Sequence, residues 1–255
     1  MFKKYLKMSE FKFKAVTKHA GKLKTLFEII FINLPTANLK IDKTGILLEE
    51  RTSQHLVLRF FLPASGFEEY CFEGTEDSYY VGLGNNINKE FFKGVKNKDK
   101  IIMSTPGPHM FLFEKQDENT TQSLLMSIEN VHIIQPVIES YSVNPISLPA
   151  LEYSQLCRSL TPTKLTVTKQ NGQIIFSFKT VRSEKKLVCG TKNTSDLEMI
   201  HREFYCEQFR RLSKIQALSA KDIDIYYEEN KPLCFVVDNP VGKFQTFICE
   251  HPEDL

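Results

Sequence analysis

Lysine and arginine side chains recur at helical spacing in several stretches of the chain. In the first stretch they lie opposite an apolar stripe of Leu23, Leu26, Phe27 and Ile30, at positions i, i+3, i+4 and i+7. Cations on a smooth helical face can neutralise phosphate groups without reading base edges. Alternatively, these cations form an ordinary charged face that contacts only solvent, and the pattern of a single helix does not exclude that interpretation. The sets are Lys18 and Lys22, then Lys89, Lys93 and Lys96, then Arg158 with Lys164, then Arg210, Arg211 and Lys214.

No familiar catalytic motif accompanies these cations. The chain lacks G-x-S-x-G, H-E-x-x-H and G-x-x-x-x-G-K-[ST], and Gly82-Leu83-Gly84 lacks the third glycine of a dinucleotide-binding loop. Glu198 and His201 have a spacing that suits two metal ligands but no third ligand nearby. The six cysteines form no C-x-x-C pair, which is typical of reduced thiols in an intracellular protein. We therefore expect no enzyme, no cofactor and no metal site.

The basic stretches belong to a unit, a helix followed by a β-hairpin, that occurs four times. The predicted helices span residues 18–32, 86–95, 149–160 and 205–217. Residues 39–48, 100–113, 165–178 and 223–237 are the predicted hairpins, with turns such as Gln170-Asn171-Gly172. Because repeats fix architecture, we predict an α+β fold of two topologically similar halves, each with two helices packed on antiparallel sheets.

Four segments follow from this division of the chain. We predict an N-terminal extension at residues 1–9, a first domain at 10–128, a connector at 129–141 and a second domain at 142–255. The longest apolar stretches fall well short of the roughly 18 residues that a membrane span needs. The N-terminus is basic but has no apolar segment with a cleavage site behind it. We therefore expect an intracellular protein without a membrane span.

Four short motifs, in order along the chain, resemble the DNA sliding clamps of the proliferating cell nuclear antigen type. Ile41-Asp42-Lys43-Thr44-Gly45-Ile46 is similar to the family's I-S-x-S-G-V, and Thr52-Ser53-Gln54-His55-Leu56-Val57-Leu58 to its loop ending S-H-V-x-L. Gly66-Phe67-Glu68-Glu69-Tyr70 is similar to G-F-D-x-Y. Leu148-Pro149-Ala150-Leu151-Glu152-Tyr153, with Leu156-Cys157-Arg158-Ser159-Leu160 after it, is similar to M-P-S-x-E-F…I-C-R-D-L. The resemblance covers nearly the whole chain from Phe11.

The resemblance implies a processivity factor, a homotrimeric ring that encircles double-stranded DNA of any sequence, with helices inside and sheets outside. It places Lys24, Lys89, Arg158 and Lys214 near the DNA. The implied partners are DNA polymerase, other replication and repair proteins with short clamp-binding peptides, and a clamp loader. The implied location is the nucleus, or a cytoplasmic replication site for a viral protein.

Two further surfaces follow from the resemblance. The partner-peptide pocket would be lined by His55, Leu56, Leu58, Pro136, Val137, Ile138, Pro232, Phe247 and Cys249. Residues 109–115 and 177–186 are the candidate edge strands for ring closure. The interface residues there are His109, Phe111, Phe113, Ser177, Lys179 and Val181. For Leu56 and Leu58 a place in the core is an equal alternative, because alternate residues of a strand can face either way.

The chain departs from the family pattern in charge and in the pocket. Its net charge is +2, from 33 basic and 31 acidic residues, whereas such clamps are usually acidic. Arg51 stands where the family tends to have an apolar pocket residue. A divergent clamp from a large DNA virus, or a specialised paralogue, would fit. Two alternatives stay open: a checkpoint-type subunit of a heterotrimer, and a viral processivity factor that holds DNA electrostatically without closing a ring.

Overall fold

The computed structural model describes residues 12–53, 55–107, 109–129, 140–180, 182–194, 198–219 and 221–250. The chain divides into two compact units. Unit 1 comprises residues 1–48, 61–133 and 240–242; unit 2 comprises residues 49–60, 134–239 and 243–255. Each unit therefore takes a short segment from the other half of the sequence. Most of the predicted connector, residues 130–139, lies outside the described residues, and the predicted domain boundaries stay a prediction.

Unit 1 contains two α-helices, α1 (Ala20–Asn33) and α2 (Ile87–Glu90), with 3₁₀ turns at Ala64–Gly66 and Phe92–Gly94. Its strands are β1 (Lys12–Thr17), β2 (Thr36–Asp42), β5 (Glu69–Glu73), β6 (Ser78–Gly84), β7 (Lys100–Gly107), β8 (Met110–Gln116) and β9 (Thr121–Ser127). Strands β3 (Gly45–Arg51) and β4 (Leu56–Pro63) have residues in both units. One antiparallel sheet of unit 1 has the order β5-β1-β7-β8-β9, and β2 pairs with β3 and β6.

Unit 2 contains three helices, α3 (Ala150–Ser159), α4 (Cys206–Arg211) and α5 (Ile215–Leu218). Its strands are β10 (Ile146–Pro149), β11 (Lys164–Gln170), β12 (Gln173–Lys179), β13 (Glu184–Cys189), β14 (Ile200–Tyr205), β15 (Asp222–Tyr226) and β16 (Leu233–Asn239), and most of β17 (Gly242–Ile248). One antiparallel sheet has the order β13-β12-β11-β14, and β15 lies between β10 and β16 in another. This mostly antiparallel α+β architecture confirms the predicted fold class.

The four predicted hairpins are present. Asn171 and Gly172 join β11 to β12 with φ of 53° and 72°, the left-handed conformation that a two-residue hairpin turn requires. Alternation along the strands separates a buried from an exposed face, as in β11, where Leu165 and Val167 are buried. The hairpins were therefore predictable from local turn chemistry and from the period of two.

Two of the four predicted helices are shorter than expected. Helix α2 ends at Glu90 because Phe91, with φ of −120° and ψ of −62°, leaves the helical conformation, and a 3₁₀ turn follows. Lys93 and Lys96 therefore do not continue one helical face from Lys89, as the spacing predicted. The fourth predicted helix is likewise split into α4 and α5 by a turn that begins at Leu212.

The predicted edge segments lie mostly in interior strands, although residues 184–186 of the second segment belong to β13, which is at an edge of its sheet. Strand β8 pairs with both β7 and β9, and β12 pairs with both β11 and β13. Phe111 and Phe113 are fully buried in the aromatic core of unit 1, with ring centroids 5.0 Å apart. His109 and Lys179 are exposed, Ser177 is half-buried, and Val181 lies outside the described residues. The edges of the two sheets instead include β9 and β13, which apolar alternation alone could not distinguish from interior strands.

Candidate functional site

Three lysines of unit 1 offer charge to solvent without an acidic partner. Lys89, Lys93 and Lys96 are exposed, and among the described residues no carboxylate lies within ion-pair distance of any of them. Lys18 is also exposed but lies 3.7 Å from the Glu68 carboxylate. These side chains can meet phosphates at little cost in desolvation.

The other two lysines predicted to bind DNA in unit 1 are less accessible. Lys22 is half-buried, and burial lowers the pKa of its ammonium group. Lys24 is half-buried too, and its Nζ donates to the carbonyl oxygen of Val95 at 3.2 Å. Lys22 and Lys24, the two lysines of α1, are therefore less accessible to solvent than the three exposed lysines.

Most of the predicted cations of unit 2 are paired with carboxylates. Glu207 accepts from Arg210 at 3.1 Å and from Arg211 at 3.0 Å, so one carboxylate offsets part of the charge of both guanidinium groups. Lys164 lies 3.1 Å from Glu203, whose hydrogen bond and charge raise the pKa of that ammonium group. Surface pairs of this kind are weak, so a phosphate can compete for the cations.

Helix α3 presents a mixed exposed face. Leu151, Glu152, Gln155 and Arg158 are exposed, and Leu151 has 64% of its surface accessible. Arg158 has no carboxylate within ion-pair distance among the described residues. Lys214, at the turn between α4 and α5, is exposed. Among the predicted cations, those of unit 2 are therefore more often paired with carboxylates than those of unit 1, a difference that residue spacing could not reveal because it depends on which acids fold against which bases.

The residues predicted to line a peptide pocket are buried to different extents. Leu56 and Leu58 are completely buried, and the predicted Phe247, also buried, belongs to an apolar core cluster. The members of this cluster are Val57, Cys234, Val236 and Phe247, with Tyr141 and Tyr226 packed against it. The predicted residues Pro136, Val137 and Ile138 lie outside the described residues.

Tyr141 is fixed over this cluster by contacts at both ends. Its ring lies nearly parallel to that of Phe247, with centroids 6.4 Å apart, and its hydroxyl donates to the Pro232 carbonyl at 2.6 Å. The Nζ of Lys231 lies 5.5 Å from the centroid of the same ring. The backbone amide of Cys249 donates to the carbonyl of His55, a half-buried residue with a positive φ.

A buried carboxylate, Glu228, anchors the residues next to Tyr141. The backbone amides of Ser142 and Val143 donate to its Oε1, and Lys231 Nζ lies 2.6 Å from its Oε2. Burial favours the neutral acid, but the hydrogen bonds and the charge of Lys231 outweigh it and lower the pKa of Glu228 to about 2. Glu228 is therefore ionised and holds the residues that follow the predicted connector.

Arg202 supports the same turn from strand β14. Its Nη1 and Nη2 donate to the carbonyls of Lys231 and Glu228, and it faces the Tyr227 ring at 5.5 Å. A cleft of about 350 Å³ opens here, lined by Arg202, Asn230, Lys231, Pro232, Cys249 and Glu250. Of these, only Pro232 and Cys249 were predicted. Sequence reasoning missed Arg202, Glu228 and Tyr141 because their roles depend on distant partners; the Asn230-Lys231-Pro232 turn was the one local signal.

The free edges β9 and β13 each carry an exposed apolar side chain. Leu125 on β9 is 53% exposed and lies opposite Leu112, and Val188 on β13 is 48% exposed and lies opposite Ile175. Exposed backbone donors and acceptors beside apolar side chains suit pairing with another strand. These edges are the candidate association surfaces.

The described residues contain no group of three or more His, Cys, Asp and Glu side chains arranged for a metal, and no helix long and apolar enough to cross a membrane. Glu198 forms an ion pair with Lys169, and His201 lies 3.1 Å from the Thr168 hydroxyl.

Comparison with known proteins identifies the fold. Neither the models of protein families nor the sequences of curated proteins match this chain. The structure is similar to the crystal structure of the proliferating cellular nuclear antigen from Entamoeba histolytica, with a TM-score of 0.80 and 14% identical residues. The match covers 94% of this chain and 98% of that chain. Identity this low establishes the clamp fold alone.

Proposed function

We propose that this chain is a subunit of a DNA sliding clamp, a non-enzymatic processivity factor that encircles duplex DNA and tethers replication and repair proteins to it. The observation that carries the proposal is the clamp fold, which extends over nearly the whole chain. Lys89, Lys93, Lys96 and Arg158 support it, because they are exposed, have no carboxylate partner in the described part of the chain and suit phosphate contacts that are independent of sequence.

The ring would be a homotrimer that closes by pairing β9 of one subunit with β13 of the next. Both strands are sheet edges with an exposed apolar residue, and pairing them would bury Leu125 and Val188. Partner proteins, including DNA polymerase, would insert short peptides beside the half-buried Tyr141 and into the cleft that Lys231 and Pro232 line. A clamp loader would open the ring, and the protein would act in the nucleus or at a cytoplasmic replication site.

The test compares retention on nicked circular DNA and on linear DNA of equal length. A topological link does not depend on phosphate contacts, so retention on the circle should survive a rise from about 50 to 200 mM salt and end when the circle is cut. Equal loss from both DNAs would contradict encirclement.

A second candidate is a processivity factor that holds DNA by electrostatic attraction without a closed ring. The net charge of +2 and the unpaired lysines of unit 1 favour it. Equal salt sensitivity on both DNAs, together with a monomeric mass in light scattering, is its expected signature. A mass of three subunits that forms only after another protein is added would indicate a heterotrimeric clamp instead.

A further inference from the structure

Three consecutive carbonyl groups of unit 1 face lysine ammonium groups. The Nζ of Lys24, on α1, lies 3.4 Å from the carbonyl oxygen of Lys93 and 3.2 Å from that of Val95. The Nζ of Lys115, on β8, lies 3.4 Å from the carbonyl oxygen of Gly94 between them. Carbonyls at the end of a helical turn lack intrahelical partners and carry partial negative charge, so the two lysines satisfy groups that would otherwise need water.

The chain on both sides of these carbonyls is fixed to the same elements. The Phe92 ring stacks on Phe27 of α1 at 4.8 Å, and Asn88 Nδ2 donates to the Phe27 carbonyl at 3.2 Å. Beyond the carbonyls, a Cβ at Gly21 in the first turn of α1 would lie only 2.0 Å from the side-chain oxygen of Asn97. Glycine at position 21 therefore allows this segment to approach α1 closely.

We propose that Lys24 and Lys115 are positioning residues that hold the basic segment of residues 89–96 against α1 and β8, and that neither acts as a phosphate ligand itself. This inference rests on the proposed function. Lys89, Lys93 and Lys96 lie close together in sequence without a paired acid, so their mutual repulsion opposes a compact segment. The hydrogen bonds from Lys24 and Lys115 to the backbone oppose release of this segment. Lys24, which the family resemblance places near DNA, therefore supports the segment instead of contacting DNA.

Hydrogen exchange tests the positioning role without DNA. Lys24→Met removes the ammonium group, and Lys115→Met tests the second tie. Each change should speed exchange of the backbone amides of residues 93–97 by at least about fivefold, because the opening no longer breaks a charged hydrogen bond. Lys24→Arg, which keeps donors and charge, should restore slow exchange, and Lys22→Met on the same helix is the matched control. Unchanged exchange in both methionine variants would overturn the inference.

A double-mutant cycle separates support from direct contact in DNA binding. Lys24→Met alone should weaken binding at low salt by about threefold to tenfold, but by less than about twofold when Lys89, Lys93 and Lys96 are already methionine. The same loss in both backgrounds would mean that Lys24 contacts phosphate directly, against the inference. If the wild-type protein itself fails the circular-DNA test, the proposed function falls, while the exchange experiment still decides the role of Lys24.

Discussion

We expect the stability of unit 2 to depend on the negative charge of the Glu228 carboxylate. It is buried, accepts two backbone amides and pairs with Lys231, which in turn donates to the Ser140 carbonyl at 2.6 Å. Removing one member of such a network leaves the remaining polar groups buried and unpaired. The resulting loss of folding free energy is larger than the net contribution of the hydrogen bonds to stability.

We expect Glu228→Gln to lower the free energy of unfolding by about 1–3 kcal/mol at neutral pH. The folded pKa of Glu228, about 2, lies below the ordinary value of 4.5, so its stabilisation is complete above pH 4.5 and is lost as the pH falls towards 2. In urea titrations of both proteins from pH 7 to pH 3, the difference in the free energy of unfolding should therefore be constant above about pH 5 and shrink steadily below it. The exposed neighbour Glu229 provides the control, since Glu229→Gln should change little; a constant difference across this range would contradict the assignment.

Under the proposed function, Glu207 would offset part of the charge that α4 offers to DNA. Glu207→Gln removes the carboxylate that pairs with Arg210 and Arg211 and should strengthen DNA binding by about twofold to fivefold, the value of an exposed ion pair. The dependence of binding on salt should also steepen, by up to about one unit of the log–log slope. Glu229→Gln has the same net charge and serves as the comparison. Equal effects of the two variants would show that overall charge, not the release of two arginines, is responsible.

At the scale of elements, the sequence predicted hairpins better than helix lengths or edges. Turn residues such as Asn171-Gly172 act locally, so the hairpin they form is visible in the sequence. The end of α2 at Phe91 depends on packing of Phe91 and Phe92 into the aromatic core, which no local pattern encodes. Strand order is a matter of long-range pairing, which local composition does not encode, so the edge was placed one strand too early.

The association surface can be tested on the two edge strands. Leu125→Asp or Val188→Asp would place an unpaired carboxylate where strands β9 and β13 are proposed to meet, which is costly once water is excluded. Light scattering should then report the 29.5 kDa single chain in place of three. Met199→Asp changes another exposed apolar residue, outside any strand, and should leave the assembly intact. A trimeric mass for both edge variants would exclude these edges as the interface.

At the scale of the whole molecule, each compact unit is completed by sequence from the other half. Val57 belongs to the same apolar cluster as Cys234, Val236 and Phe247, although it precedes them by well over a hundred residues. This apolar cluster was therefore only partly predictable: Phe247 follows from the family resemblance, whereas Val57 and Tyr141 join it only when the chain has folded.

This interleaving predicts that the second half does not fold alone. A fragment of residues 142–255 lacks residues 49–60 and should expose the apolar surface that Val57 covers, so we expect low solubility and no cooperative thermal transition. Co-expression with residues 1–141 should restore soluble protein. A fragment that melts cooperatively at the temperature of the whole chain would instead support independent domains with the boundary predicted from sequence.

Of the six cysteines, five are buried and only Cys71, on β5, is half-exposed. Burial raises the pKa of Cys157, Cys189 and Cys234 to about 12 and that of Cys206 to about 11, which suppresses the reactive thiolate. A maleimide dye should therefore label the native protein once per subunit, and Cys71→Ser should abolish labelling, as intact-mass spectrometry can check. The chain thus supplies its own single attachment point for following individual molecules along DNA by fluorescence.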